Sequence, residues 1–219
     1  MISYRDLLKD RKIFYYIERA DYFLKNMGYT YHGTKHVVWV ASRARMILDR
    51  LNYPEREVEL AGIAGLLHDI GNIVSRHDHA QAGALLTYQL LKDKNLLTEE
   101  DLTDLMYAIG NHESATGVPV TPIAAAVVIA DKSHVSRNRV RKDSNIKEDI
   151  HDRVNFSIFY SDIEVNPDKK TIKLVLKMDT SISDILEFFS IFKERMEMCR
   201  RASRVLDCKF RIKINGKDL

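Results

Sequence analysis

The segment Leu60–Leu67 constrains this chain more than any other, because its eight residues are only leucine, alanine, glycine and isoleucine. Pro54 suits the first turn of a helix, and the apolar positions that follow have helical spacing. A helix without a polar face has to lie inside a domain with other elements around it. His68 and Asp69 follow directly, so an imidazole and a carboxylate are expected at the end of a buried helix.

Most of the first two thirds of the chain is predicted to be helical. Apolar residues recur at intervals of three and four, Thr98 begins a capping box, and Gly28 is placed to end the first long helix. The predicted helical segments are 4–27, 34–51, 54–67, 78–91, 98–111 and 123–136.

The pattern changes after about Arg153. Residues 155–165 and 171–178 alternate between apolar and polar side chains, and a turn signal at 166–168 separates them. An amphipathic helix over 181–206 and a last alternating stretch, 209–214, complete a ββαβ pattern. We therefore expect a mainly α fold: a helical catalytic domain over 1–150, then a small α+β unit over 151–219. This C-terminal unit would serve as an accessory or as a homodimer contact.

Composition narrows the function. With 45% hydrophobic and 30% charged residues the chain is typical of a globular protein, and a net charge of +3 is too small to indicate nucleic-acid binding. The longest apolar run, 123–130, is far below the ~18 to 20 residues of a membrane span. No signal peptide is visible, so a cytoplasmic location is expected. Cys199 and Cys208 are expected to be plain buried thiols.

The pair His68-Asp69 carries the first indication of chemistry. A carboxylate at the carboxyl end of a buried helix is costly to desolvate and faces the negative end of the helix dipole. A divalent cation would offset both effects and would accept the imidazole lone pair. A capping pair with ordinary hydrogen bonds is the alternative interpretation.

Four more residues strengthen the metal hypothesis. Each lies where an apolar helix meets a break or on the buried side of a helix, and each alone would be read as an ordinary core or surface residue. With the pair they give four imidazoles and two carboxylates, a set that suits two first-row transition metals bridged by a carboxylate. The four are His36, His79, His112 and Asp131.

In this order the residues resemble the HD-domain superfamily of metal-dependent phosphohydrolases, over about residues 30–140. His68-Asp69-Ile70-Gly71 matches the extended signature, and Ala130-Asp131-Lys132 is similar to the terminal aspartate motif. His79 with Gly83, and His112-Glu113, resemble the subgroup that binds two metals.

Within that subgroup the HD-GYP-like cyclic-dinucleotide phosphodiesterases are the nearest resemblance, with Gly117-Val118-Pro119 as a degenerate form of their Gly-Tyr-Pro element. Two positions depart from the pattern. Asn72 stands where lysine is common, and Asn111 stands where the most metal-rich members have a histidine. The second departure argues against a third metal, and both put a cyclic-dinucleotide substrate in doubt.

The resemblance implies an HD-type helical bundle and assigns a ligand set. One metal would be held by His36, His68, Asp69 and Asp131, and a second by His79 and His112 with Asp69 bridging. The ions would be iron, manganese, nickel or zinc, and magnesium is disfavoured at the histidine-rich site.

The implied reaction is hydrolysis of a small phosphomonoester or phosphodiester, of nucleotide type, by a metal-activated hydroxide. Asp69 would be the catalytic residue that orients the nucleophile. Lys132 and Arg137 are predicted to bind substrate phosphate, with solvated surface charge as the alternative. His77 is the alternative to His79 as ligand, and His134 is a candidate to protonate a leaving group.

Two other functions use the same residues. Diiron oxygenases of this fold need the same ligands, and oxygen consumption would distinguish them from a hydrolase. A non-catalytic module that senses a nucleotide is the other alternative, although all six ligand positions are filled here.

Overall fold

A computed structural model describes residues 3–94 and 97–219. Its helices are α1 Tyr4–Leu7, α2 Arg11–Asn26, α3 Thr34–Arg50, α4 Glu55–Leu67, α5 His79–Leu91, α6 Glu99–Gly110, α7 Pro122–Ser133, α8 Ile150–Ser157 and α9 Ile185–Val205. Short 3-10 turns cover Ile70–Ile73, Lys92–Lys94 and Arg137–Arg139. The strands are β1 Ile158–Asn166, β2 Thr171–Met178, β3 Lys209–Ile214 and β4 Lys217–Asp218. The prediction of a mainly α fold with a small C-terminal sheet is confirmed.

Helices α4 and α7 form the centre of the molecule. Every residue of Leu60–Leu67 and of Ile123–Ala130 is buried, and α3 packs against both helices. Neither segment has a polar face, so each is stable only when enclosed on all sides. The predicted central position of the His-Asp helix is therefore confirmed.

The C-terminal sheet has the strand order β1-β2-β3-β4, with β1–β2 and β3–β4 antiparallel and β2–β3 parallel. Helix α9 connects the two parallel strands and packs against α7. Met198, Cys199 and Ala202 of α9 belong to the same apolar core as the helical region. The C-terminal unit thus packs against α7, the helix that carries Asp131. The domain boundary at residue 150 stays a prediction.

Three predicted boundaries differ from the structure. The predicted helix 4–27 is divided into α1 and α2. The Asp10 side chain accepts hydrogen bonds from the backbone N–H groups of Lys12 and Ile13 and so caps the start of α2. The strand predicted from residue 155 begins at Ile158, because Asp149 caps α8 in the same way. A short fourth strand, β4, pairs with β3, which makes the tail ββαββ. In the first two cases a local capping hydrogen bond outweighs the hydrophobic pattern.

Within the described residues, none of the helices combines the length and the apolar character needed to cross a membrane. Cys199 and Cys208 are buried free thiols. Residues 1 and 2, on which part of the signal-peptide expectation rests, lie outside the described residues.

Candidate metal centre

The six predicted ligand residues meet at one place in the middle of the helical region. They come from α3, the carboxyl end of α4, the first residue of α5, the end of α6, and α7, and all are buried. Their ligand atoms fall into three overlapping groups, and within each group the atoms lie no more than 4.8 Å apart. The groups are His36, His68 and Asp69; His68, His112 and Asp131; and Asp69, His79 and His112.

Backbone carbonyls orient three of the four imidazoles. The Nδ1 atoms of His68, His79 and His112 lie 2.8, 3.1 and 2.6 Å from the carbonyl oxygens of Gly65, Arg76 and Ile109. A carbonyl only accepts, so each Nδ1 carries a proton that it donates, and each Nε2 keeps its lone pair. The Nε2 atoms of His79 and His112 are 3.2 Å apart. Two lone pairs at that distance repel unless a cation or a proton lies between them.

His36 is held by a different partner. Its Nδ1 lies 2.8 Å from Nδ1 of His134, and the His134 ring stacks on Trp39 with 4.3 Å between the centroids. The Nε2 of His36 faces Nε2 of His68 at 3.2 Å. His134 therefore supports a ligand from behind and does not line the cavity in front of the centre. This position suits a positioning residue better than the predicted leaving-group acid.

Asp69 turns one carboxylate oxygen to each pair of histidines. Its Oδ2 lies 3.4 and 3.2 Å from Nε2 of His36 and His68. Its Oδ1 lies 3.6 and 3.8 Å from Nε2 of His79 and His112. Oδ2 is buried and, within the described chain, has no hydrogen-bond partner. A buried carboxylate oxygen facing imidazole lone pairs is stabilised by a cation, so the residues fit two ions with Asp69 between them.

Asp131 completes the first of these two positions. Its Oδ1 lies 3.4 Å from His36 Nε2 and 3.6 Å from His68 Nε2. Its Oδ2 forms a 2.7 Å ion pair with the Lys132 ammonium, which is buried. Lys132 is therefore not a solvated surface charge, and its predicted role toward substrate phosphate remains open to test.

The acid–base properties of the cluster fit metal binding. Burial lowers the pKa of His68, but the carboxylates of Asp69 and Asp131 outweigh it and raise that pKa to about 10. Burial raises the pKa of Asp69, yet the nearby imidazoles of His68, His112 and His36 hold it well below its usual range. The carboxylates stay ionised and draw positive charge to the imidazoles. A metal ion would compete with a proton for that position.

Gly71 allows the Asp69 turn to reach α5. A Cβ at this position would lie 1.9 Å from the backbone oxygen of His79 and 2.4 Å from the nitrogen of Gly83. No side chain can occupy that space, so the chain after His68-Asp69 contacts the start of α5 backbone to backbone. The glycine of the extended signature thereby places Asp69 beside His79.

A small cationic cavity of about 40 Å³ lies in front of the centre. Besides the ligands, its lining includes Lys132, Glu113 and three arginines. Arg76 donates to Asn72, and Arg139 donates to the backbone oxygens of Tyr31 and His134. Arg195 comes from α9. Among the described residues, no carboxylate forms a salt bridge with Arg76, Arg139 or Arg195. Guanidinium groups that form no salt bridge can bind an anion.

Of these cavity residues the sequence assigned a role to Lys132, but not to Glu113 or to the three arginines. Glu113 Oε2 lies 3.4 Å from His79 Nε2, and only its place next to His112 could have indicated it. Arg139 follows the predicted Arg137 by two residues on a tight turn. Arg195 is more than sixty positions from the last predicted ligand, and no local pattern connects it with the site.

Two other predicted positions lie away from the cavity. The Arg137 guanidinium sits over the rings of Phe156 and Phe159, at 5.4 and 5.5 Å. Arg139, two residues further along the same turn, lines the cavity together with Arg76 and Arg195. The side chain of His77 is 97% exposed, whereas His79 is buried in the cluster. The placement thus favours His79 over His77 as ligand.

The two asparagines that depart from the family pattern have structural partners. The Asn72 amide donates to Asp69 Oδ1 at 3.1 Å and to the Asp69 backbone oxygen at 2.9 Å. Asn111 donates to Tyr107 and accepts from the Val118 backbone N–H. Asn72 therefore orients the bridging carboxylate, and Asn111 holds the loop after α6.

Comparison with known proteins agrees with this geometry at the level of the superfamily. The family model described as HD domain matches residues 33–136, a span that contains all six predicted ligands. The chain therefore carries an HD domain, the domain of a superfamily of metal-dependent phosphohydrolases. No curated protein matches the chain. The resemblance to the HD-GYP-like subgroup stays a prediction.

Proposed function

We propose that this protein is a metal-dependent phosphohydrolase that cleaves a phosphate ester at a two-metal centre formed by the six ligand residues. The observation that carries the proposal is the position of Asp69, with one carboxylate oxygen toward each histidine pair. When bound, two divalent ions would supply an activated water and polarise a phosphoryl oxygen.

The chain's own residues have separable roles in this proposal. Arg76, Arg139 and Arg195 bind and orient the phosphoryl oxygens in the cationic cavity. Asn72 keeps the Asp69 carboxylate in its bridging orientation. Glu113 lies at the cavity wall, next to His79, where a carboxylate can accept a proton from the attacking water.

The predicted diiron oxygenase and nucleotide sensor use the same ligands, so the experiment has to separate three functions. Chelator-stripped protein is reloaded with manganese, iron, nickel or zinc, and its metal content is measured. Phosphate release from p-nitrophenyl phosphate and from its bis-ester is then followed with and without oxygen. We expect about two metal equivalents per chain and oxygen-independent turnover.

Asp69→Asn provides the decisive variant, because it removes the charge of the bridging carboxylate and keeps its size. We expect it to lose both metal binding and turnover. Asp168→Asn, at the exposed β1–β2 turn, is the matched control and should keep both. Less than one metal equivalent in the unsubstituted protein, or full activity in Asp69→Asn, would defeat the proposal. Turnover that depends on oxygen would favour the oxygenase, and binding without turnover would favour the sensor.

A further inference from the structure

The cationic cavity continues into two further spaces. A chamber of about 260 Å³ shares His32, Arg76, Arg139 and Arg195 with it. Beyond the chamber, a surface cleft of about 620 Å³ shares Gly28, Asp149, His151 and Asp152 with the chamber. The cavity, the chamber and the cleft thus lie next to one another in that order, and we take this path from the surface cleft inward as the route of a substrate to the metal centre.

Charge changes sign along this path. The inner end carries the three arginines, whereas Asp149 and Asp152 line the outer side of the chamber. The cleft adds Asp143 and Glu148. Its two cations are already paired, Lys25 with Asp143 at 3.6 Å and Arg141 with Asp21 at 2.8 Å. An anionic group is therefore attracted to the inner end and repelled at the outer one.

Asp152 has the property expected of a ligand-binding group. The residue is only 8% exposed, and nowhere in the described chain does its carboxylate form a hydrogen bond or an ion pair. Its neighbour Asn155, by contrast, accepts from Ser136 and donates to His151. Because Asp152 lines the chamber and has no donor within the described chain, its carboxylate is free to accept hydrogen bonds from water or from a ligand there. Hydroxyl or ammonium groups of a ligand in the chamber would satisfy it.

The size of the chamber limits what such a ligand can be. Its 260 Å³ lies just below the ~300 to 1,000 Å³ typical of pockets for drug-sized ligands. Tyr29 and Phe192 also line it, and the guanidiniums of Arg76 and Arg195 lie over their rings at 5.0 and 4.8 Å. The chamber therefore takes one compact unit with a polar edge, and a second phosphorylated unit would meet the acidic outer wall.

We propose that the chamber binds the alcohol part of a phosphomonoester, a compact group that bears hydroxyl or ammonium donors for Asp152 and carries no second phosphate. This inference rests on the proposed function and narrows its substrate class. The arginines bind the phosphoryl group, and Asp152 is the residue that determines specificity at the far end.

The test compares esters that differ only at the outer end. Ribose 5-phosphate supplies hydroxyl donors, phosphoethanolamine supplies an ammonium, and phenyl phosphate supplies neither. Ribose 1,5-bisphosphate and a cyclic diguanylate carry a second phosphate. We expect kcat/KM to be about tenfold or more higher for at least one donor-bearing ester than for phenyl phosphate, and lowest for the two polyanions.

Asp152→Asn tests the residue itself, because it removes the charge and one acceptor without a change in size. The ratio of kcat/KM between the preferred donor-bearing ester and phenyl phosphate should fall about tenfold. Asp168→Asn should leave that ratio unchanged, and thermal unfolding shows whether each variant is folded. An unchanged ratio in a folded Asp152→Asn protein, or efficient turnover of either polyanion, would overturn the inference.

Failure of the proposed function gives a different result. If metal-loaded protein releases phosphate from none of these esters, the hydrolase proposal fails, and binding of the same esters by titration calorimetry decides the inference. Tighter binding of a donor-bearing ester that is lost in Asp152→Asn would support the chamber assignment. Equal binding of phenyl phosphate and the donor-bearing esters would reject it.

Discussion

At the scale of single residues, the centre depends on which ring nitrogen each histidine presents. Three backbone carbonyls hold the Nδ1 protons, and this leaves Nε2 free on His68, His79 and His112. The sequence identifies the imidazoles but not their tautomers, because the carbonyl partners are set by how each helix ends. The orientation of these ligands is therefore a property of helix termini and not of the motif alone.

His79 and His77 allow a matched test of the second metal position. We expect His79→Ala to lower the metal content by about one equivalent per chain, because it removes an Nε2 that lies 3.2 Å from that of His112. His77→Ala removes an exposed imidazole two residues earlier and should leave the metal content unchanged. Elemental analysis after dialysis against metal-free buffer measures both. Equal losses in the two variants would contradict the assignment.

At the scale of elements, the motif works because the turn after α4 contacts the first turn of α5 without an intervening side chain. The sequence predicted both α4 and α5, and its motifs include Gly71 and Gly83. It could not show that these glycines face each other, since that contact joins two elements whose relative orientation depends on packing.

We expect Gly71→Ala to lower the free energy of unfolding by about 3 kcal/mol or more, because its Cβ would overlap the backbone of α5. The substitution should also weaken metal binding, since Asp69 and His79 would separate. Gly110→Ala is the control: its Cβ would meet nothing nearer than 3.8 Å, so stability should change by less than about 1 kcal/mol. Urea unfolding of the metal-free proteins measures both changes. Similar values for the two variants would argue against the close contact.

At the scale of the whole molecule, the helical region and the C-terminal unit meet at the site. Helix α9 packs on α7 and brings Arg195 into the cavity in front of Asp131. The C-terminal unit thus lines the cavity and would take part in substrate binding under the proposed function. Its role as an accessory or homodimer contact remains a prediction.

We expect Arg195→Gln to lower kcat/KM for every phosphate ester about 10- to 100-fold, mainly through KM, because it removes one charged donor to the phosphoryl group. Metal content should be unaffected, since Arg195 forms no hydrogen bond or salt bridge with a ligand residue in the described structure. Arg201→Gln, on the exposed face of the same helix, should behave like the unsubstituted protein. Steady-state kinetics with one monoester decide between them, and equal kinetics in the two variants would remove Arg195 from the site.

The sequence by itself determined the helices, their order and the six candidate ligands. Hydrophobic periodicity and the order of a few polar residues are local properties, and the match to the HD domain depends on that same order. The hydrophobic pattern missed the break before α2 and the whole of α8. Each of these helices begins at one capping side chain, Asp10 for α2 and Asp149 for α8.

Only the tertiary structure decided what surrounds the centre. The free Asp69 oxygen, the arginines without salt bridges and the Asp152 carboxylate at the chamber wall arise where segments far apart in the chain come together. Contacts between such distant segments produce no periodic pattern in the sequence, because burial and charge pairing depend on packing between elements. The candidate ligand set was therefore readable from the sequence, whereas the lining of the cavity and the chamber was not.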